Sequence, residues 1–129
     1  MKWCRIELHD SPAWGLVEGD EIALLERAPF DGVARTGAHV PLAGAKLLPP
    51  VVPPNFYAAG LNYAAHIEWA NTHHGMSLKR PQQADIGYRS ANALVGSGAD
   101  IVIPRNSKGP VEFEGELVAV VGRKAKHLT

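Results

Sequence analysis

The sequence predicts a mixed, mainly β fold with one or two short helices, and three observations carry that prediction. Short apolar runs alternate with polar residues at the period of two that a half-buried strand requires. Turn formers are dense, with 13 glycines and 10 prolines in 129 residues, which favours strands joined by irregular loops over a helical bundle. The segment "AAHIEWAN" combines good helix formers with a glycine stop downstream at Gly75.

The elements follow in order. "KWCRIEL" (2–8) reads as a strand. "WGLVEGDEIALL" (14–25) reads as a hairpin turning at Glu18-Gly19-Asp20. Residues 26–40 suit one helical turn and a loop, and "AKLLPP" (45–50) another strand. "LLPPVVPPNF" (47–56) holds four prolines between Pro49 and Pro54. Such a run suits neither a helix nor a central strand, so it reads as a stiff link. A small β-rich module over 1–49 therefore precedes a second unit over 50–129.

In that second unit Phe56–Ala59 make a short strand and Gly60 a tight turn. Asn62 is placed to cap the helix that Gly75 ends. "MSLKRPQQADIG" reads as a loop. "IGYRSANALVG" (86–96) and "DIVIP" (100–104) are strand candidates, followed by a turn at "RNSKGP" and a strand in "VEFEGELVAVVGR" (111–123).

Composition narrows the function classes. Hydrophobic residues make up 46% and charged residues 20%, a globular balance. Lys plus Arg is 13 and Asp plus Glu is 13, so no charge excess points to nucleic acid or an anionic membrane as partner. The single cysteine, Cys4, permits neither an internal disulfide nor a cysteine-rich zinc site. "MKWCRIELHD" lacks the apolar core of a signal peptide, and no apolar run has the length of a membrane span. A soluble, cytoplasmic protein is expected.

The chemistry concentrates after the proline link. Glu112, Glu114 and Glu116 alternate along one strand face, with neighbours roughly 7 Å apart. Like charges that close repel, so the face is either wet or holds a cation. Glu114 and Glu116, with Gly115 between them, offer oxygen ligands to Mg²⁺ or Mn²⁺, with Ca²⁺ as an alternative; solvation or pairing with Lys and Arg would equally explain them. His66 follows a strand and a glycine turn and suits a general base. Glu68 lies two residues on, a spacing that does not face His66 on a helix. His73 and His74 read as loop residues, Trp69 as a packing residue. Arg89 either grips a substrate carboxylate or pairs with an acidic neighbour.

Three motifs, "YAAGLNYAAH", "NALVGSGADIVIP" and "VEFEGELVAVVGRKAKHL", in this order and at these gaps, resemble the fumarylacetoacetate hydrolase family over residues 47–129. The first half is similar to the small N-terminal module that precedes the catalytic domain in many bacterial members. The resemblance implies the start of that family's mixed β fold and a divalent-metal-dependent enzyme of the kind found in aromatic compound catabolism. Such enzymes act on an acidic oxo or enol substrate by C–C bond hydrolysis, decarboxylation or isomerisation. It also implies Glu114 and Glu116 as metal ligands, His66 and Glu68 as catalytic residues, and Asn62, Tyr63 and Arg89 as substrate contacts. A homodimer is implied for the full-length protein. Many members carry a Glu three residues after the histidine, where this chain has Trp69. A third metal carboxylate, an aspartate, comes well after the Glu-x-Glu strand, whereas this sequence stops at Thr129. The expectation is therefore the opening part of a longer enzyme; the alternative is a non-catalytic β-rich binding module with an incomplete metal site.

Overall fold

The structure is a computed structural model that describes residues 1–127; Leu128 and Thr129, at the end of the second sequence-derived domain, lie outside the described residues. The chain forms two compact units, one of Met1–Leu48 together with the chain from Gly96 onward, the other Pro49–Val95.

The first unit is built on a five-stranded antiparallel sheet. Its strands are β1 (Trp3–Leu8), β2 (Ser11–Glu18), β3 (Glu21–Leu25), β4 (Arg35–Pro41) and β5 (Leu47–Leu48), in the spatial order β4-β3-β2-β1-β5. β1 and β2 pair from Trp3↔Leu16 to Leu8↔Ser11, so His9 and Asp10 alone make the turn. Both residues have positive φ, 49° and 60°, which is the demand of a tight hairpin whose twist matches its strands. The expected second hairpin is present, with Glu18 paired to Glu21 and Gly19 at φ 62°.

The centre of the sheet is buried on both faces. On one face Leu16, Ala23 and Leu25 form a buried cluster against which Trp3 and Trp14 pack. A 3₁₀ turn, Pro29–Asp31, brings Phe30 edge-on to both indoles, at 5.5 Å from Trp3 and 5.6 Å from Trp14. The Arg5 guanidinium lies 5.5 Å from the Trp14 ring centroid, a cation–π distance. On the other face Ile6 and Ile22 are buried. Here a Cβ at Gly15 would collide with Cγ2 of Ile22. The two positions are diagonal across β2 and β3, and the glycine gives up its side chain so that the isoleucine can lie over the strand.

Residues 26–40 differ from the expected helical turn and loop, because β4 adds a strand there. Its ladder to β3 runs irregularly between Ala23 and Leu25, with Gly37 at φ 84°. Thr36 bridges the gap: its hydroxyl donates to the Leu24 carbonyl at 3.3 Å and accepts from the Ala38 N–H at 3.1 Å. At the opposite edge β5 is only Leu47–Leu48, shorter than expected, and is held to β1 by Glu7 N–H to Lys46 carbonyl at 2.9 Å and by the Lys46–Glu7 ion pair at 2.8 Å. Burial pushes the Cys4 thiol up from its usual pKa.

The second unit is a two-stranded antiparallel sheet with a helix in the connection: β6 (Phe56–Gly60), α1 (Ala64–His74) and β7 (Asp85–Arg89). Tyr57 and Tyr88 sit directly opposite and meet edge to face at 5.6 Å. β7 ends sooner than the strand expected over 86–96, because Ser90 caps a 3₁₀ turn at Ala91–Ala93. Residues 100–104 and 111–123, expected as strands, take no strand structure. A strand exists through its ladder of backbone hydrogen bonds, and the ladders among the described residues are those of β1–β5 and of the β6–β7 pair.

Two outcomes are expected. Gly15→Ala costs about 1–3 kcal/mol through overpacking and Ile22→Ala about 2–5 kcal/mol, while the double variant costs clearly less than their sum, since losing Cγ2 removes the clash; denaturant unfolding checks this. The Glu18–Arg35 pair, bidentate at 2.6 and 3.1 Å, holds the Glu18 carboxyl below its usual range, chiefly by the hydrogen bond from Arg35. A depressed carboxyl pKa stabilises the fold above the unfolded value of about 4.3, and that contribution is lost as pH falls through the folded value. Melting temperatures of the wild type and Glu18→Gln should therefore differ slightly at neutral pH, as for an exposed pair, and converge in acid.

Candidate functional site

β6 ends at Gly60, and the chain turns into α1 through Leu61, Asn62 and Tyr63. The turn was expected to rest on Gly60, but the positive φ belongs to Leu61, at 48°. A branched residue in the left-handed region is strained by about 1–2 kcal/mol. Tyr63, not Asn62, occupies the N-cap position, and no side chain caps the helix. Asn62 falls one residue too early; the Tyr63 carbonyl accepts the first helical bond, from Ile67 N–H at 3.1 Å.

His66 stands in the first turn of α1 with its side chain exposed, and Glu68 and Trp69 are exposed beside it. The buried stripe of the helix is Ile67 and Ala70, so Trp69, half exposed, lies off the packing face where it was expected. Gly75 at φ 60° and ψ 24° makes a left-handed C-cap. That stop comes after His74, so the histidine doublet read as loop forms the last turn of the helix.

The four aromatic rings of α1 gather on one side. Trp69 meets His66 at 6.3 Å between centroids, His73 at 5.3 Å and His74 at 4.8 Å. The loop after Gly75 folds back on the helix through Asn71, whose amide donates to the Leu78 carbonyl at 2.9 Å and accepts from the Leu78 N–H at 2.7 Å.

Arg89 pairs with Phe56 and Asp85 with Gly60, so the two ends of β7 lie at opposite ends of the hairpin. With five-residue strands this sets Arg89 about 14 Å along the sheet from the turn that carries Asn62 and Tyr63. The Arg89 guanidinium donates to the Tyr88 carbonyl at 3.2 Å. The acidic residue beside the turn is Asp85: a Cβ on Gly60 would stand 3.4 Å from its Oδ2. Sequence reasoning passed over Asp85 because it falls in a loop-like stretch; the five-residue match between the two strands was the signal.

Glu114 and Glu116 belong to the other unit, on a stretch that is exposed throughout, with Phe113 98% and Leu117 91% accessible. As hard oxygen donors two residues apart on one chain, their carboxylates fit a divalent cation of the Mg²⁺ type. Among the described residues no group of three or more His, Cys, Asp and Glu stands together as a metal site, and no helix is long and apolar enough to cross a membrane.

Comparison with known proteins accounts for both halves of the chain. Residues 1–50 match the family model "Rv2993c-like, N-terminal", and residues 55–129 match "Fumarylacetoacetate (FAA) hydrolase C-terminal". Protein Rv2993c of Mycobacterium tuberculosis is 33% identical over 98% of this chain and 48% of its own length. The mitochondrial oxaloacetate tautomerase Fahd2a of Rattus norvegicus is 31% identical over 69% of this chain and 26% of its own. The crystal structure of 5-carboxymethyl-2-hydroxymuconate delta-isomerase from Mycobacterium smegmatis superposes with a TM-score of 0.56 at 29% identity, over 72% of this chain and 34% of that one. The chain thus spans about half or less of the length of the relatives it matches.

Asn71→Ala should release the loop after Gly75. The lost amide leaves two Leu78 backbone groups unpaired, at about 1–3 kcal/mol. Amide hydrogen exchange at Leu78 should accelerate, while exchange in β1–β3 stays as in the wild type.

Proposed function

Given that the chain belongs to the fumarylacetoacetate (FAA) hydrolase family, we propose that it contributes to a divalent-metal-dependent enzyme that moves a proton on an acidic oxo or enol substrate. Members of the family generally use divalent metals. The observation that carries the reading is His66, an exposed imidazole in the first turn of α1, directly after the strained turn from β6. Two relatives named for relocating a proton or a double bond, the rat tautomerase and the mycobacterial isomerase, favour isomerisation over C–C bond hydrolysis.

In this reading His66 takes a proton from the carbon beside the substrate carbonyl and returns it elsewhere on the enol system. Imidazole is suited to both halves, because its ring nitrogens can both accept and donate a proton. Asn62 and Tyr63 present polar groups to the substrate from the adjoining turn. Glu68 faces away from His66 at its i+2 spacing and serves as an exposed carboxylate of the helix, not as its dyad partner. Arg89, at the far end of the β6–β7 pair, would take a carboxylate bidentately only from a substrate long enough to reach it. Glu114 and Glu116 would hold Mg²⁺ or Mn²⁺, and such a cation would supply Lewis-acid stabilisation of developing negative charge. For the longer polypeptide the reading includes a homodimer.

A second reading has its own observation. Ile101, Val102, Phe113, Leu117 and Val121 are large apolar residues left open to solvent on the stretch after Gly96, which favours an interaction module over an enzyme.

The test is turnover of oxaloacetate enol and of an acylpyruvate, followed by enol absorbance with Mn²⁺ and with chelator. Manganese-dependent ketonisation is expected. His66→Ala should lower its rate by about 10²–10⁴-fold, as for a lost general base, and Glu116→Ala should abolish the manganese dependence. Release of pyruvate from the acylpyruvate would move the reaction to C–C hydrolysis. Rates unchanged by both substitutions would defeat the enzyme reading in favour of the interaction module.

A further inference from the structure

We propose that Trp69 is a positioning residue for His66, an inference that rests on the reading of His66 as the proton-moving group. The two side chains are three residues apart on α1, a spacing that puts them on one side of the helix. Their ring centroids are 6.3 Å apart and their planes meet at 64°, an edge-to-face contact within the distance range of aromatic pairs. Nothing in the indole accepts a proton from imidazole, since its one polar group is a donor. Trp69 therefore acts on His66 through orientation alone.

The indole can set an orientation because it is itself held. On its far side His73 stacks nearly parallel to it, at 5.3 Å and 24°, and His74 meets it edge-on at 4.8 Å and 68°. His73 Nδ1 lies 3.0 Å from the Trp69 carbonyl. A carbonyl only accepts, so Nδ1 carries the proton and donates, which ties His73 to the backbone of the residue it stacks on. Two rings in the last turn thus fix the indole, and the indole meets the histidine of the first turn at an edge-to-face angle. The helix buries Ile67 and Ala70 instead, and Trp69 remains 50% exposed. An exposed tryptophan clamped by its own helix adds little to the core, and this separates positioning from packing.

The experiment uses the chain with Trp69→Phe, Trp69→Leu and His66→Ala, with circular dichroism to confirm folding. The first readout is the side-chain proton shifts of His66 by NMR, which report the aromatic ring current. The second is kcat and KM for Mn²⁺-dependent ketonisation. The expected result is a displaced His66 ring signal in the wild type, retained in part by Trp69→Phe and lost in Trp69→Leu. Alongside it, kcat should fall about tenfold in Trp69→Leu, the scale of a misplaced catalytic group. KM should stay within about twofold, and Trp69→Phe should recover most of the rate. Wild-type His66 signals without ring-current displacement would overturn the proposal at its geometry. So would a rise in KM alone, which would make Trp69 a substrate contact. If the displacement is present but His66→Ala leaves turnover intact, or the chain shows no turnover, the reading of His66 falls and Trp69 positions nothing catalytic.

Discussion

The five-stranded sheet depends on one close approach: the Ile22 side chain lying over the backbone of Gly15. A Cβ at residue 15 would occupy the space of Ile22 Cγ2, so the centre of β2 and β3 is closed by an isoleucine and a missing methyl together. With Ile22 seated there, β2 and β3 keep the register that puts Leu16, Ala23 and Leu25 on the opposite face. A slip of β3 by one residue would turn Ala23 and Leu25 toward the other face and leave Leu16, Trp3 and Trp14 without them. The aromatic group with Phe30, and through it the 3₁₀ turn after β3, follows from that register.

The sequence could be read where a local rule and the tertiary structure agreed. The hairpin at Gly19 was legible because glycine advertises a positive φ. The helix was legible at its end because Gly75 does the same. The first hairpin was hidden because His9 and Asp10 take the left-handed conformation without a glycine to announce it, a conformation for which Asp and His are enriched among non-glycine residues. β4 was hidden because its ladder is interrupted and repaired by Thr36. Residues 111–116 alternate as a strand should before the run turns wholly apolar, yet alternation supplies only a face, and a strand is made by its ladder and not by its pattern.

The candidate site divides along the same line. A histidine after a strand and a glycine-containing turn could be placed from the sequence, and α1 begins close to where that reasoning puts it. What single-residue spacing did not reveal is that the indole at position 69 gathers three imidazoles. The separations of three, four and five residues from Trp69 were all visible. The hydrophobicity of tryptophan predicts a packing residue there, whereas the helix buries its smaller neighbours Ile67 and Ala70. Asp85 was missed for a related reason: its place beside Gly60 is a property of the β6–β7 register and of no local pattern.

The order of strands in the first unit carries a consequence for how the chain reaches its structure. β1 to β4 are consecutive neighbours in space as well as in sequence, so each new strand closes only a short loop onto the one before it. Loop closure is cheap at such separations, and topologies rich in local contacts assemble fast. Domains near the N-terminus also leave the ribosome first. The meander can therefore form before the segment bearing His66 has left the ribosome.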